Sequence, residues 1–300
     1  MAMTLPDGMT AEPAKRRGGG AQWLRHGRYL LASNPITLVA FLLLLLLVLA
    51  AVLGPSLVPY DPFATDTVNA LQPPSAAHWF GTDQLGRDVF SRVVVAARLD
   101  LMISVAAVLL SFVAGSALGS IAGYFGGWPD RLIGRLVDTI MAFPLFVLAM
   151  GIVAAAGNTV ANIVYATAII NLPFYARMAR TEVNVRREAG FVQAARLAGN
   201  GDWRILAGFL FPNALPPMMV QVSLNMGWAI LNAAGLSFIG LGVRPPTAEW
   251  GIMVAEGANY IVSGEWWMAL FPGLALMLAV FTFNLLGDGL RDLVDPRRRT

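Results

Sequence analysis

Charge is missing from five long stretches of this chain: no Asp, Glu, Lys or Arg occurs in 29–60, 101–129, 139–176, 205–243 or 266–287. About 20 apolar residues in helical form cross a bilayer. A helix also satisfies its own backbone hydrogen bonds where no water is available. The charge-free runs therefore predict an all-α, polytopic membrane protein. Run 139–176 is long enough for two spans turning at Gly157-Asn158, so six transmembrane helices are expected, over about 36–57, 100–124, 133–156, 159–179, 214–240 and 266–287. A composition of 57% hydrophobic and 13% charged residues excludes an ordinary soluble globule.

Orientation follows from the basic residues. With the N-terminus inside, Lys15, Arg16, Arg17, Arg25, Arg28, Arg131, Arg135, the six Arg from Arg177 to Arg204, and Arg291, Arg297, Arg298 and Arg299 face the cytoplasm. Only Arg87, Arg92, Arg98 and Arg244 fall outside, so the positive-inside rule selects N-in and C-in. The net charge of +3 is a topology signal, and nothing suggests nucleic-acid binding. The first apolar run exceeds a signal-peptide core and is read as a retained helix.

The expected organisation is a disordered basic cytoplasmic tail (1–33), a first transmembrane helix (34–60), and an extracytoplasmic loop with an interfacial helix (61–97). A five-helix core (98–288) and a cytoplasmic tail (289–300) follow. In the interfacial helix Thr82 or Asp83 is the expected cap, Asp88 and Arg92 an i,i+4 pair, and Val89 and Phe90 dip into the membrane surface. Gly115, Gly119 and Gly123 share one helix face, which suits close packing in lipid. Asp138 is read as a structural anchor with Arg135, one turn away. Trp266 and Trp267 are placed at the outer interface.

Two polar features stand out. Gln221, Asn225 and Asn232 line one face of the fifth span with Trp228 between them. Such amides suit a passage for polar cargo, and equally a set of interhelical hydrogen bonds. The second feature is the polar loop 180–212. In it a helix carrying Ala194 and Ala195 stops at Gly199, which tolerates a left-handed backbone. Asp202 is the expected N-cap of a second short helix and Pro212 its end.

This loop resembles the EAA loop of ABC-importer permeases, E-A-A-x3-G-x9-I-x-L-P. Gln193, Ala194, Ala195, Gly199, Phe209, Phe211 and Pro212 fill its positions, with Gln for Glu and Phe for Ile and for Leu. Residues 80–92, FGTDQLGRDVFSR, resemble the FGTDxxGRDxxSR signature of the dipeptide/oligopeptide/nickel permeases. Residues 236–251 resemble that family's LSFLGLGxxPPxxxWG stretch, and Asn232 stands where many relatives carry Glu. The ending around Asn284–Arg297 is similar too.

The resemblance implies the C-type permease of a heteromeric pair in the prokaryotic inner membrane, with a type I importer core plus one extra N-terminal helix. It implies a homologous second permease, two ABC ATPase subunits and an extracytoplasmic solute-binding protein as partners, besides membrane lipid. Loop 180–212 is then the ATPase-coupling element, the polar stripe lines the path, and Arg244 and Trp250 in the loop 242–265 meet the binding protein. Dipeptides or oligopeptides are the implied cargo, with nickel or a chelated metal as the alternative.

Catalysis is not expected of this chain. It has no GxxxxGK[ST], and Lys15 is its only lysine, so ATP and Mg belong on the ATPases and no cofactor or metal on this subunit. It has no cysteine and only two histidines, His26 and His78. An ion-coupled secondary carrier is a weaker alternative, because such carriers usually hold ionisable groups near the midplane.

Overall fold

The computed structural model describes residues 35–294, so the tails expected at either end lie largely outside the described residues. Helix α1 (Pro35–Leu57) is a run of Leu, Val and Ala. Only Ala40, Leu47, Ala51 and Gly54 are buried, Leu44 and Ala50 pack partly against the core, and much of the remaining apolar surface is exposed. Helix α2 (Val89–Phe125) is 37 residues long, which is about 55 Å. Asp88 caps it by accepting from Ser91 N at 2.8 Å. Helices α3 (Gly127–Met141), α4 (Leu145–Ala156) and α5 (Val160–Arg186) follow.

α5 is the principal neighbour of α2, and glycine explains how close the two come. A β-carbon on Gly115, Gly119 or Gly123 would lie 2.7, 2.1 or 2.5 Å from the carbonyl oxygens of Leu172, Ala176 and Arg180. Each turn of α2 thus meets one turn of α5 backbone to backbone, as the small-residue spacing predicts. Gly157 makes the expected turn between α4 and α5 at φ +97, and Thr159 caps α5 through Asn162 N.

The chain then folds into α6 (Gly190–Leu197) and α7 (Asp202–Ile205), passes through a π-helical turn at Leu206–Leu210, and enters α8 (Phe211–Phe238). α9 (Trp250–Ala258) and α10 (Trp267–Val294) complete the bundle. No strand forms among the described residues beyond an isolated bridge, Thr82 to Asp88. Three apolar cores hold the bundle. One joins α1, α2, α8, α9 and α10, a second joins α4, α5 and α8, and a third lies under α6 and α7.

Several expectations need correction. Helices α1, α2, Asp202–Phe238 and Trp267–Arg291 are long and apolar enough to cross a membrane. The expected third span is instead two helices bent by 88°, which together would supply a fifth. Pro144 sits at the bend and disfavours helix at Phe143. The interfacial helix at 80–92 does not form. Residues 82–88 are a tight turn and α2 begins at Val89, which is buried. α5 stops at Arg186, and the helix carrying Ala194 and Ala195 starts afresh at Gly190.

Pro212 does not end a helix. It lies at the second position of α8, where the wider π turn has already shifted the bonding: Phe211 N–H reaches back to Leu206 O. Asp138 pairs with Arg177 at 2.8 Å and not with Arg135, because α5 passes alongside α3. Arg180 pairs likewise with Asp130, its Nη2 at 2.8 Å from Oδ2. Trp267 is buried and donates to Thr82 O at 3.1 Å, leaving only Trp266 at the surface.

Candidate functional site

At the end of α2 away from the 61–88 loop, the chain forms a bent knuckle. α6 closes with Gly199 at φ +79, whose N–H donates to Arg196 O at 2.9 Å. Asn200 seals the turn twice, donating to Ala195 O from its backbone at 3.2 Å and from Nδ2 at 2.9 Å. These bonds satisfy carbonyls that a helix end leaves open. The N-cap of α7 is Gly201 and not Asp202. Asp202 occupies the first helical position and accepts from the Tyr124 hydroxyl at 2.7 Å, which ties the knuckle to the end of α2. Arg196 lies over the Tyr124 ring at 5.9 Å.

Ala195 is buried with Val192, Ile205 and Leu206 against α2 and α5, so its small size serves the chain's own packing. Ala194, Gln193 and Gly199 face outward, and Gln193 Nε2 donates to Glu188 O at 3.0 Å. The exposed side also carries Leu197 (90% exposed), Trp203 (65%) and Phe191. Pairing patterns did not single out these three. Their signal is the large apolar side chain within a polar loop.

The four amide and indole positions of the stripe all line one cavity of about 380 Å³ between α4, α5, α8 and α10, together with Asn171, Phe174, Asn284 and Phe146. Gln221 Nε2 donates to Asn225 Oδ1 at 2.9 Å, and Asn232 Nδ2 to Trp228 O at 2.8 Å. Most of their hydrogen bonding is thus local to α8, and the lining is uncharged, with five amides set among the apolar side chains of Leu145, Phe146, Ile170, Phe174, Leu224 and Trp228. Asn171 and Asn284 escaped the sequence reading because each is a lone amide on its own helix. Such a lining can hold polar cargo by hydrogen bonds and discriminates weakly by charge.

At the opposite end a buried charge cluster ties residues 61–88 to α2 and α9. Asp83 Oδ2 lies 2.6 Å from Arg87 Nε and 3.6 Å from Arg92 Nε, while Glu256 on α9 lies 3.5 and 4.0 Å from the two guanidinium groups. Arg92 also donates to Pro62 O at 3.1 Å and Pro246 O at 3.3 Å. The expected Asp88–Arg92 pair is absent, and Asp88 instead pairs with His78 at 2.9 Å. Arg244 is exposed, whereas Trp250 is 1% exposed. Trp250 Nε1 donates to Val93 O at 2.9 Å, so this indole anchors α9 on α2 and cannot meet a partner.

A helical membrane bundle with an uncharged, amide-bearing cavity and a bent knuckle at one end has the construction of a solute permease. In fold it is similar to a chain of the MetNI methionine ABC transporter in inward-facing conformations, with TM-score 0.55 and 18% identity over 68% of this chain and 96% of that one. Residues 115–300 match the family described as binding-protein-dependent transport system inner membrane component. Residues 23–74 match the N-terminal TM domain of oligopeptide transport permease C.

Among curated relatives, the probable D,D-dipeptide transport system permease protein DdpC of Escherichia coli is 44% identical, covering 90% of each chain. The dipeptide transport system permease protein DppC of Alkalihalophilus pseudofirmus is 43% identical over 90% of this chain and 88% of its own. The glutathione transport system permease protein GsiD of Pectobacterium atrosepticum is 40% identical over 93% and 92%. The chain belongs to the family of binding-protein-dependent transport system inner membrane components, and it is a permease of the inner membrane.

Proposed function

We propose that this chain is one of two homologous permease subunits of an ATP-driven importer of dipeptides and oligopeptides. It crosses the membrane six times with both termini inside. Two separate ATPase subunits bind ATP and Mg, and an extracytoplasmic protein delivers the cargo. The knuckle is the observation that carries this reading. It is a rigid, externally apolar element at the Arg-rich end of the bundle, on a chain whose only lysine is Lys15 and which has no phosphate-binding loop of its own. Peptide cargo is favoured because the relatives named above, matched over about nine-tenths of the chain, are permeases named for dipeptides and for glutathione.

In this mechanism ATP closes the ATPase dimer and draws the two knuckles together, and the helices rearrange so that the cavity opens to the binding protein. Hydrolysis returns the path to the cytoplasm. Gln193, Ala194, Gly199, Leu197 and Trp203 form the docking face. Gln221, Asn225, Trp228, Asn232, Asn171 and Asn284 line the path.

The natural absence of cysteine permits a direct test of orientation. Trp203→Cys is expected to react with a membrane-impermeant maleimide only after the cytoplasmic side is opened, and Val262→Cys from outside. The reverse pattern overturns the arrangement. Reconstitution with the second permease, the ATPases and the binding protein should give peptide uptake that requires every subunit. Solute transport by the purified chain alone would refute the proposal.

A further inference from the structure

The two carboxyl groups of Asp100 and Glu249 touch inside the bundle, at 1% and 0% exposure. Glu249 is the N-cap of α9 and accepts from Gly251 N at 2.9 Å and Ile252 N at 2.8 Å. Asp100, on α2, accepts from Trp250 N at 3.1 Å through Oδ2. Its other oxygen, Oδ1, is fully buried and accepts from no donor. Among the described residues, no Arg or His forms an ion pair with either carboxyl. α9 contributes backbone N–H groups and α8 the Ser237 hydroxyl. Arg92 is committed to Asp83, Glu256 and two carbonyls, and Arg244 is exposed.

Two carboxylates in contact away from water cannot both be ionised without a cost of several kcal/mol. A single proton resolves both problems, giving the orphaned oxygen a hydrogen to donate and removing one charge.

We propose that Asp100 and Glu249 bind one proton between them at neutral pH, carried on Asp100 Oδ1 and donated to Glu249, and that this proton latches α9 to α2. The remaining negative charge belongs on Glu249, which has the two N–H groups and the positive end of α9 beside it. Raising the pH releases the proton to solvent, leaves two touching carboxylates and opens the contact at Trp250. Burial away from water disfavours a second charge on the pair, so the closed latch holds its proton more tightly than the opened one does. For a carboxyl raised on folding, the stabilisation is complete at low pH and is lost as pH climbs through the folded-state value. The latch is therefore tightest in acid and weakens as the pH rises. Its existence does not depend on the cargo or on the partners.

Hydrogen exchange of the full-length chain in lipid nanodiscs, with whatever subunits co-purify, tests this. Protection factors for the amides of α9, corrected for intrinsic exchange, should fall by up to about tenfold per pH unit over the range in which the closed pair keeps the proton that the opened pair has lost, and level off above it. Asp100→Asn offers an amide donor that needs no proton, so its profile should stay protected and flat with pH, while Asp100→Ala should be unprotected throughout. Glu249→Gln should also be flat, and serves if the first variant does not accumulate. Infrared difference spectra should show a protonated carboxyl carbonyl in the wild type at neutral pH that is lost in both isosteric variants. A wild-type profile that stays flat, an Asp100→Asn profile that falls like the wild type, or absence of the carboxyl band overturns the proposal.

Discussion

A β-carbon at Gly199 would meet nothing within 4 Å, yet the backbone there lies at φ +79. Substitution is therefore opposed by conformation alone, by about 1–2 kcal/mol for an ordinary residue. Gly199→Val should leave the protein in the membrane but lower peptide uptake per ATP hydrolysed severalfold. Gly199→Asn, which tolerates the left-handed region, should stay close to wild type. Equal coupling ratios for the two variants would remove the turn from the mechanism. Gly119 is the opposite case, with an unremarkable backbone and a neighbour's carbonyl in the way. Gly119→Ala should lower thermal stability in detergent by about 1–3 kcal/mol. Gly134→Ala, in the open on α3, should be neutral or raise it by up to about 1 kcal/mol. The reason for Gly199 was legible in the sequence, since a helix followed by glycine and a second helix implies the turn. The G-x3-G-x3-G face was legible as a packing face, although the identity of α5 as its partner was not.

At the scale of elements, what misled was charge. Arg87 and Arg92 read as surface residues of an interfacial helix, because a sequence pattern does not reveal that Glu256, more than 150 positions later, comes to meet them. Their burial makes the cluster costly to break. Asp83→Asn leaves two buried guanidinium groups on one carboxylate and should destabilise the protein by roughly 3–5 kcal/mol. Asp138→Asn breaks a pair whose members are more than half exposed, and should cost less than about 1 kcal/mol. Thermal unfolding of the two variants in the same detergent checks the contrast. Pro212 misled for a related reason. Proline forbids the ordinary bond to the residue four back, but a π turn just ahead of it had already moved the register.

Across the whole molecule, the apolar runs announced the helices, and the periodicity of α8 sets Gln221, Asn225, Trp228 and Asn232 along one cavity. Asn171 and Asn284 were out of reach because they join that cavity only through the packing of α5 and α10 on α8. Replacing Asn225 and Asn232 together by Leu should reduce peptide uptake at least about tenfold, while the yield of complex with the ATPases stays within about twofold. A parallel loss of complex would make the amides packing groups. The run from Asp202 to Phe238 is continuous helix, and its first part is the weakest, since a π turn is followed by Pro212, Pro216 and Pro217, none of which has an N–H to give. Bending concentrates where backbone bonds are missing. In the mechanism proposed above, a push on Trp203 would reach Asn225 only across this neck, and α8 would swing about a pivot set just below the cavity.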